Sequence, residues 1–286
     1  MPWRGLAPRG AWPCRGPWFP PGGSRGHSLV RQATTFTSQV TAMTDSTSAA
    51  RSELAPTGTL RVALNMSNFL LTATDPVTGE PCGLAADLGR ELGQRLGVPV
   101  ALLPYPNPGA LADAAPTGVW DVGFLGAEPQ RAHAIDFTAA YVEIEATYLV
   151  PPGSPLTAIA EVDRPGIRIA VPDRSAYELY LTRSLQHAQL VREQGGDNTF
   201  KRFIADKLDA LAGLRPRLVT DQDNLPGSRL LDGNFTAVQQ AAGTPKGRPV
   251  GAQYLCAFIE DIKATGLVAR TIAKHNVRGL TVAPKA

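Results

Sequence analysis

Two spacings of hydrophobic residues along the chain predict its first elements. Residues 59–64, TLRVAL, alternate and are rich in β-forming residues, so they are predicted to form a strand. Residues 83–97 carry leucine at every fourth position and end in glycine, which predicts a helix with one apolar stripe. A second strand is predicted at residues 98–103. This order of strand, helix and strand is a βαβ unit and favours a parallel sheet.

A short buried strand is predicted at residues 121–125, with a tight turn after it and a further strand at residues 146–150. The sequence PPGSP at residues 151–155 is a stiff break, and we place the crossover to a second domain near it. A new α/β pattern begins with a predicted strand at residues 167–171. Ser175 then has the spacing of a capping box and starts a helix predicted to run to about Val191.

The rest of the pattern predicts a helix opening at Asp197, a strand at residues 208–211 and a return strand at residues 235–239. Two closing helices are predicted at residues 253–263 and 267–275, packing back on the first domain. The sequence therefore predicts an α/β protein with lobe 1 at residues 58–151 and lobe 2 at residues 152–240. Residues 241–286 are predicted to return to lobe 1.

Residues 1–57 are rich in Pro, Gly, Arg, Ser and Thr and show no helical or strand period, so we predict a disordered extension. Six prolines among the first 21 residues prevent a continuous helix, and neither a secretory hydrophobic core nor an amphipathic transit helix is predicted. We interpret Met43 as the true start of translation. An unusual export signal is the alternative.

Composition excludes several classes of protein. A net charge of +3 in 286 residues is too small to predict nucleic-acid binding, and no apolar run approaches the roughly 18 residues that span a bilayer. The three cysteines are widely separated, with no histidine at ligand spacing, which predicts neither a zinc site nor a disulfide framework. No P-loop or catalytic-triad signature is present, and we predict no cofactor.

One cation follows the buried strand at residues 121–125. Arg131 is placed just past this strand, where a guanidinium can present a rigid fork of donors to a carboxylate. A surface arginine in a loop is the alternative. The start of the helix at Ser175 faces the end of a strand and offers free N–H groups to an anion, although Ser175 is also explained as a helix cap.

Several segments, in order and with compatible spacing over about residues 59–276, resemble the family 3 bacterial solute-binding proteins. These proteins are extracytoplasmic receptors of polar amino-acid ABC importers. The matching segments include Gly58-Thr59-Leu60-Arg61-Val62, Gly83-Leu84-Ala85-Ala86-Asp87-Leu88, Trp120-Asp121-Val122, Arg131 with Phe137-Thr138 six residues later, and Pro165-Gly166-Ile167-Arg168-Ile169-Ala170-Val171.

The resemblance implies a type II, two-lobed clamp that closes on a small ligand. It implies that Arg131 binds the ligand carboxylate, helped by Arg174 and Ser175 at the start of the second-lobe helix. It also implies that an aromatic or apolar residue of the first-strand loop covers the ligand, for which Phe69 or Leu70 is the best match.

The chain departs from the family pattern at two places. Before the arginine, where relatives commonly carry Ser or Thr, it has Gly126 and, nearby, Glu128, and we add both residues to the predicted ligand site. Relatives place an aspartate for the ligand ammonium after the strand that starts near Asp209, but here that neighbourhood reads LAGL at residues 211–214. Because a buried ammonium without a partner is costly, a carboxylate lacking that ammonium is the expected ligand.

The predicted function is therefore a periplasmic, monomeric substrate-binding protein that works with ABC permease subunits, with no nucleic-acid partner. It is predicted to bind a small carboxylate-containing solute, an amino acid or a related organic acid. Two alternatives remain at this point. One is a cyclohexadienyl-dehydratase-like enzyme on the same fold, with Glu128 or Asp173 as the acid. The other is a cytoplasmic ligand sensor, suggested by the lack of a recognisable signal peptide.

Overall fold

A computed structural model describes residues 47–286 of the chain. The predicted disorder of residues 1–46 and the interpretation of Met43 as the start lie outside the described residues.

The described chain is a mixture of helices and strands. The strands are β1 Leu60–Asn65, β2 Ala73–Thr74, β3 Pro81–Cys82, β4 Val100–Tyr105, β5 Val122–Gly126, β6 Ile135–Val150, β7 Arg168–Pro172, β8 Gln189–Glu193, β9 Ala210–Leu214, β10 Arg229–Leu230, β11 Thr236–Pro245 and β12 Thr281–Val282. The helices are α1 (residues 47–54), α2 Leu84–Leu96, α3 Pro108–Asp113, α4 Ala176–Ser184, α5 Gly196–Ala205, α6 Arg215–Asp223, α7 Pro249–Ala264 and α8 Leu267–Lys274, with 3₁₀ segments at Ala115–Thr117, Arg131–His133 and Ile159–Glu161.

Within residues 47–286, ten of the strands form one mixed sheet in the order β4-β1-β5-β11-β6-β9-β7-β8, with β10 and β12 pairing onto β6. Strand β1 is parallel to β4 and β5, and β7 is parallel to β8 and β9. We call β4, β1 and β5 with their helices the first half, and β9, β7 and β8 with their helices the second half. The predicted α/β class with two parallel units is confirmed.

Strands β6 and β11 join the two halves. They pair antiparallel from Ile135 opposite Pro245 to Ala146 opposite Thr236. Strand β6 continues into the second half, where residues 146–149 pair with β9. The chain therefore crosses between the halves on two long neighbouring strands.

Each half has its own apolar core. The first core packs the leucine stripe of α2 against β1 and β5, and the closing helices α7 and α8 complete it with Leu255, Phe258 and Val268. The second core contains Tyr148, Ile169 and other side chains from β6, β7, β9 and α4. Helix α2 ends at a glycine in the left-handed conformation, as its sequence predicted. The bounds of the two lobes given above stay predictions.

Asp121 connects the first strands to the C-terminal region. Its fully buried carboxylate accepts hydrogen bonds from the backbone N–H and the guanidinium of Arg61 at 2.8–3.0 Å. A second arginine, Arg248 just before α7, donates from Nη1 at 2.8 Å. Because a buried carboxylate is tolerated only when it is paired, this network fixes the start of α7 beside β1 and β5.

Two expectations differ from the structure. The helix from Ser175 was predicted to reach about Val191, but α4 ends at Ser184 and β8 follows. The carboxylate of Asp163 accepts backbone N–H groups of residues 186–188 at 2.8–2.9 Å and holds this stretch as a turn. Order also begins before residue 58, because α1 packs Ala50 and Leu54 into the first core. No helix in the described part of the chain has the length and apolarity needed to cross a membrane.

Replacing Leu54 should test the packing of α1. Leu54 is fully buried, and a Cβ added at Gly251 of α7 would lie 2.8 Å from its Cδ2 atom, so the two helices are in close contact. We expect Leu54→Ala to lower the free energy of unfolding by about 2–5 kcal/mol in urea titrations, because a cavity remains. Val77→Ala, at a side chain that is 91 % exposed, should change it by less than about 0.5 kcal/mol. Equal effects of the two substitutions would contradict this packing.

Candidate functional site

A cleft of about 310 Å³ lies between the two halves, beside the crossing strands. This volume is at the small end of ligand-binding pockets, so it suits a small metabolite. Both halves and the crossing strands line it. The lining residues are Asn65, Ser67, Asn68, Phe69, Pro106, Asn107, Pro108, Gly126, Arg131, Pro172, Asp173, Ser175, Ala176, Tyr177, Gln194, Gly195, Gly196, Leu214, Arg217, Val238 and Gln240.

Arg131 lies buried in the wall of this cleft, on the turn after β5. Its side chain bridges the halves, because Nη1 donates to the Gly126 carbonyl at 2.6 Å and Nη2 donates to the Arg174 carbonyl at 2.8 Å. The residue is 6 % exposed. A guanidinium has five N–H donors, so these two bonds leave further donors for a ligand.

Burial lowers the pKa of Arg131 to about 10, and the nearby positive charge of Arg174 adds to this effect. Glu128 acts in the opposite direction. The guanidinium therefore remains cationic at neutral pH. Its two carbonyl partners leave much of the free-energy cost of its desolvation without compensation. An anion in the cleft would stabilise the charged form.

Gly126 allows the two halves to approach at this point. A Cβ on residue 126 would lie 2.8 Å from the Cβ of Ala176 and 3.1 Å from Cγ1 of Val238. Ala176 belongs to the second half and Val238 to a crossing strand. A side chain at residue 126 would therefore hold the halves apart.

Ser175 lies at the start of α4 and lines the cleft. Its Oγ accepts the backbone N–H of Glu178 at 3.1 Å, which makes it the N-cap of this helix. In a capping box the Glu178 carboxylate would accept the backbone N–H of Ser175, but here it accepts from Thr182 and Arg192. Ser175 is therefore both the cap of α4 and a residue of the cleft wall.

Phe69 follows β1 at the rim of the cleft and is 51 % exposed. Leu70, the alternative match, is buried in the first core. Of the two residues, Phe69 is therefore the one that lies at the cleft, and its role in covering a ligand stays a prediction.

Arg174 lies outside the lining of the cleft and ties the halves together. Its φ of 57° is left-handed, and its guanidinium makes two 2.7 Å bonds to the two oxygens of Asp113 in α3. The absence of a side chain at Gly109 makes room, since a Cβ there would lie 2.7 Å from the Arg174 guanidinium. Arg174 lowers the pKa of Asp113 through this bidentate contact.

Glu128 also forms a bond between the halves. Its carboxylate, on the turn after β5, pairs with the guanidinium of Arg183 in α4. Burial raises the pKa of Glu128, and Arg183 counteracts part of this shift. Like Arg174, Glu128 lies beside the cleft and not in its lining, so a direct ligand contact for either residue stays a prediction.

The structure adds polar residues that the sequence did not single out. Arg217, in the first turn of α6, lines the cleft from the second half. Gln240, on β11, is 4 % exposed and also lines it. The segment RPRLVTDQD of α6 has no apolar stripe, and neither residue carries a sequence signal that predicts a site.

Comparison with known proteins identifies the family and the fold. The model of the bacterial extracellular solute-binding proteins, family 3, matches residues 60–277. Among curated proteins, none matches the sequence. An ancestral amino-acid-binding protein, a precursor of cyclohexadienyl dehydratase, has a similar structure. The two chains are 21 % identical, the match covers 78 % of this chain and 97 % of that chain, and the TM-score is 0.64.

Two further solved structures are similar. An amino-acid ABC transporter substrate-binding protein of Streptococcus pneumoniae, bound to L-arginine, has 20 % identity, covers 78 % of this chain and 96 % of its own, and has a TM-score of 0.64. A mutant of ArgBP from T. maritima is 18 % identical to this chain. The match covers 79 % of this chain and 99 % of that chain, with a TM-score of 0.65. These likenesses confirm the predicted type II periplasmic-binding fold.

The pair of Arg174 and Asp113 should favour the closed arrangement of the halves. Asp113→Asn removes the charge, and since both side chains are about half exposed we expect a loss of about 0.5–1 kcal/mol, or a two- to fivefold lower ratio of closed to open molecules. Spin labels at the exposed positions 77 and 204, one in each half, would report the distance distribution.

Asp206→Asn is the matched control for this prediction. Asp206 pairs with Arg202 within the second half and has comparable exposure, so its replacement should leave the distances between the labels unchanged. The effect of Asp113→Asn should also shrink in high salt. Unchanged distances in Asp113→Asn would show that this pair does not contribute to closure.

Proposed function

Since the chain belongs to the bacterial extracellular solute-binding proteins of family 3, we propose that it delivers a small carboxylate-containing solute to an ABC importer. The observation that carries this proposal is Arg131, a buried guanidinium in the wall of a cleft of metabolite size. A carboxylate is the group that such a planar fork of donors binds best. Amino acids and related organic acids are the corresponding solutes.

The contacts of Arg131 also suggest how binding is reported to a transporter. Its guanidinium touches the Gly126 carbonyl of the first half and the Arg174 carbonyl of the second half. A ligand bound to Arg131 therefore stabilises the arrangement in which both carbonyls are near, and this shifts the population toward the closed state. Permease subunits of an importer are the partners that read such a state, and the protein acts in this proposal as a monomer.

This function requires a location outside the cytoplasm, where an importer collects its solute. Fractionation of cells that express the full-length chain from its native gene would test it. Recovery in the periplasmic or extracellular fraction is expected. Recovery in the cytoplasm would support a ligand sensor on the same fold.

An enzyme is the second candidate function. One structural neighbour is a precursor of cyclohexadienyl dehydratase, and the raised pKa of Glu128 is a property of general acids. The carboxylate of Glu128, however, is paired with Arg183, which leaves Asp173 as the acid in the lining of the cleft. Purified protein incubated with prephenate or arogenate should show no turnover, and measurable turnover would favour the enzyme.

Arg131→Gln should remove ligand binding. Truncating one partner of a buried, hydrogen-bonded charge pair costs about 2–5 kcal/mol, so we expect affinity to fall at least about 30-fold. A thermal-shift screen with amino acids, dicarboxylates, keto acids and aromatic acids would find the ligand class, since a ligand at about 100 times its Kd stabilises the wild type by about 2.7 kcal/mol. Arg131→Gln should not show this shift.

Arg90→Gln is the control for Arg131→Gln. Arg90 is a half-exposed cation on α2 and pairs with Asp87, away from the cleft. Its replacement should leave the ligand-dependent shift unchanged. A carboxylate that stabilises Arg131→Gln as strongly as the wild type would show that the solute binds elsewhere.

A further inference from the structure

We infer that the solute is an organic acid with two anionic groups and no amine, and that Arg217 is the residue that binds its second anionic group. This inference rests on the proposed function, because it takes Arg131 as the partner of the first carboxylate. Its basis is the distribution of charge and of unused donors around the cleft.

Among the described residues that line the cleft, three are charged: Arg131, Arg217 and Asp173. Asp173 has partners of its own, since its Oδ2 accepts from Gln194 Nε2 at 2.8 Å and its charge contributes, after that of Asp113, to raising the pKa of Arg174. The two arginines come from different halves. A ligand that fills the cleft therefore meets a cation from each side, and this arrangement favours a dianion.

Arg217 is held in place for such a contact. Its Nε donates to Asp221 Oδ1 at 2.9 Å, and its Nη2 lies 2.7 Å from Asp197 Oδ1. Asp221 is buried, one helical turn further along α6, and therefore fixes the guanidinium. Asp197 has a side chain that is 79 % exposed, so solvent screens its attraction to Arg217.

The Nη1 group of Arg217 lies beside Gly196, and both residues line the cleft. A Cβ added at Gly196, a residue of the lining, would lie 3.4 Å from Nη1 of Arg217. This Nη1 group makes no hydrogen bond to residues 47–286. A guanidinium with its Nε edge fixed by a buried aspartate and a free Nη1 group is a donor ready for an anion.

Gln240 is a second, independent observation. The residue is 4 % exposed and lines the cleft, and its side-chain amide makes no hydrogen bond within the described chain. The amide atoms are not among the buried unpaired atoms of the described residues, so they are accessible from the cleft. A side-chain amide that is accessible in a cleft and has no partner within the described chain can donate to and accept from a polar ligand. Leu214, at the end of β9, gives this lining an apolar side chain, which cannot pair with an ammonium.

Isothermal titration calorimetry with three groups of acids tests the inference. The diacids are succinate, glutarate and adipate, the monoacid is butyrate, and the amine-bearing diacids are aspartate and glutamate. We expect the wild type to bind at least one diacid about 10- to 100-fold more tightly than butyrate and the amino acids. Butyrate forms one charge-assisted pair fewer than a diacid, and the amino acids leave an ammonium without a partner.

Arg217→Gln should reduce the diacid affinity to that for the monoacid and leave the affinity for butyrate within about threefold. The double variant Arg217→Gln/Asp221→Asn should behave in the same way, and it avoids leaving the buried carboxylate of Asp221 without its cation. Arg202→Gln is the matched control. Arg202 also pairs with two carboxylates, one of them four residues later, but it lies outside the cleft, so the preference for diacids should persist.

The two proposals fail in different ways. If Arg131→Gln abolishes binding while Arg217→Gln leaves the diacid preference unchanged, or if amino acids bind the wild type as tightly as diacids, the inference about Arg217 is overturned and the proposed function stands. If no carboxylate binds, or if Arg131→Gln has no effect on any of them, both are overturned.

Discussion

The antiparallel ladder between β6 and β11 is the interaction on which the rest of the structure depends. It is the path by which the chain enters the second half and returns, and it pairs residues 135–146 with residues 236–245. Its register is interrupted between Gln240 and Ala241 and again before Gly243. Such irregularities bend a strand and re-aim its side chains. Gln240 reaches the cleft at this irregular point, so the connection between the halves also forms part of the site.

The sequence predicted those elements whose signal is local. The leucine stripe and the C-terminal glycine of α2 are contained in residues 83–97, and the structure ends the helix where the glycine indicates. The end of α4 was predicted wrongly because the turn after it is fixed by Asp163, more than twenty residues earlier in the chain. Helix α6 was missed because Leu218 and Asp221 are its buried residues, too few for an apolar stripe. Arg217 was missed with it.

In the candidate site, too, the residues that were predicted are those whose sequence signal is local. Gly126 ends β5 and Ser175 starts α4, and Phe69 and Arg131 lie in the loops that follow β1 and β5. All four line the cleft, and sequence patterns locate such positions well. Arg174 and Glu128 stand at such ends too, but each is paired with a residue of the opposite half, Asp113 and Arg183 respectively. No pattern within the sequence predicts these partners, because they meet only after both halves have folded.

The charges around the cleft bear on how the proposed anionic ligand would favour closure. When the halves are together, the positive charge of Arg174 lies close enough to Arg131 to help lower its pKa, which means that the closed arrangement brings like charges together. Asp113 and Glu128 offset part of this repulsion at the edge of the cleft, where they pair with Arg174 and Arg183. Among the described residues of the lining, Asp173 is the acid, and Arg131 and Arg217 are the cations. In the proposed function, a bound anion would add negative charge between these cations and would couple occupancy to closure through the same guanidinium groups.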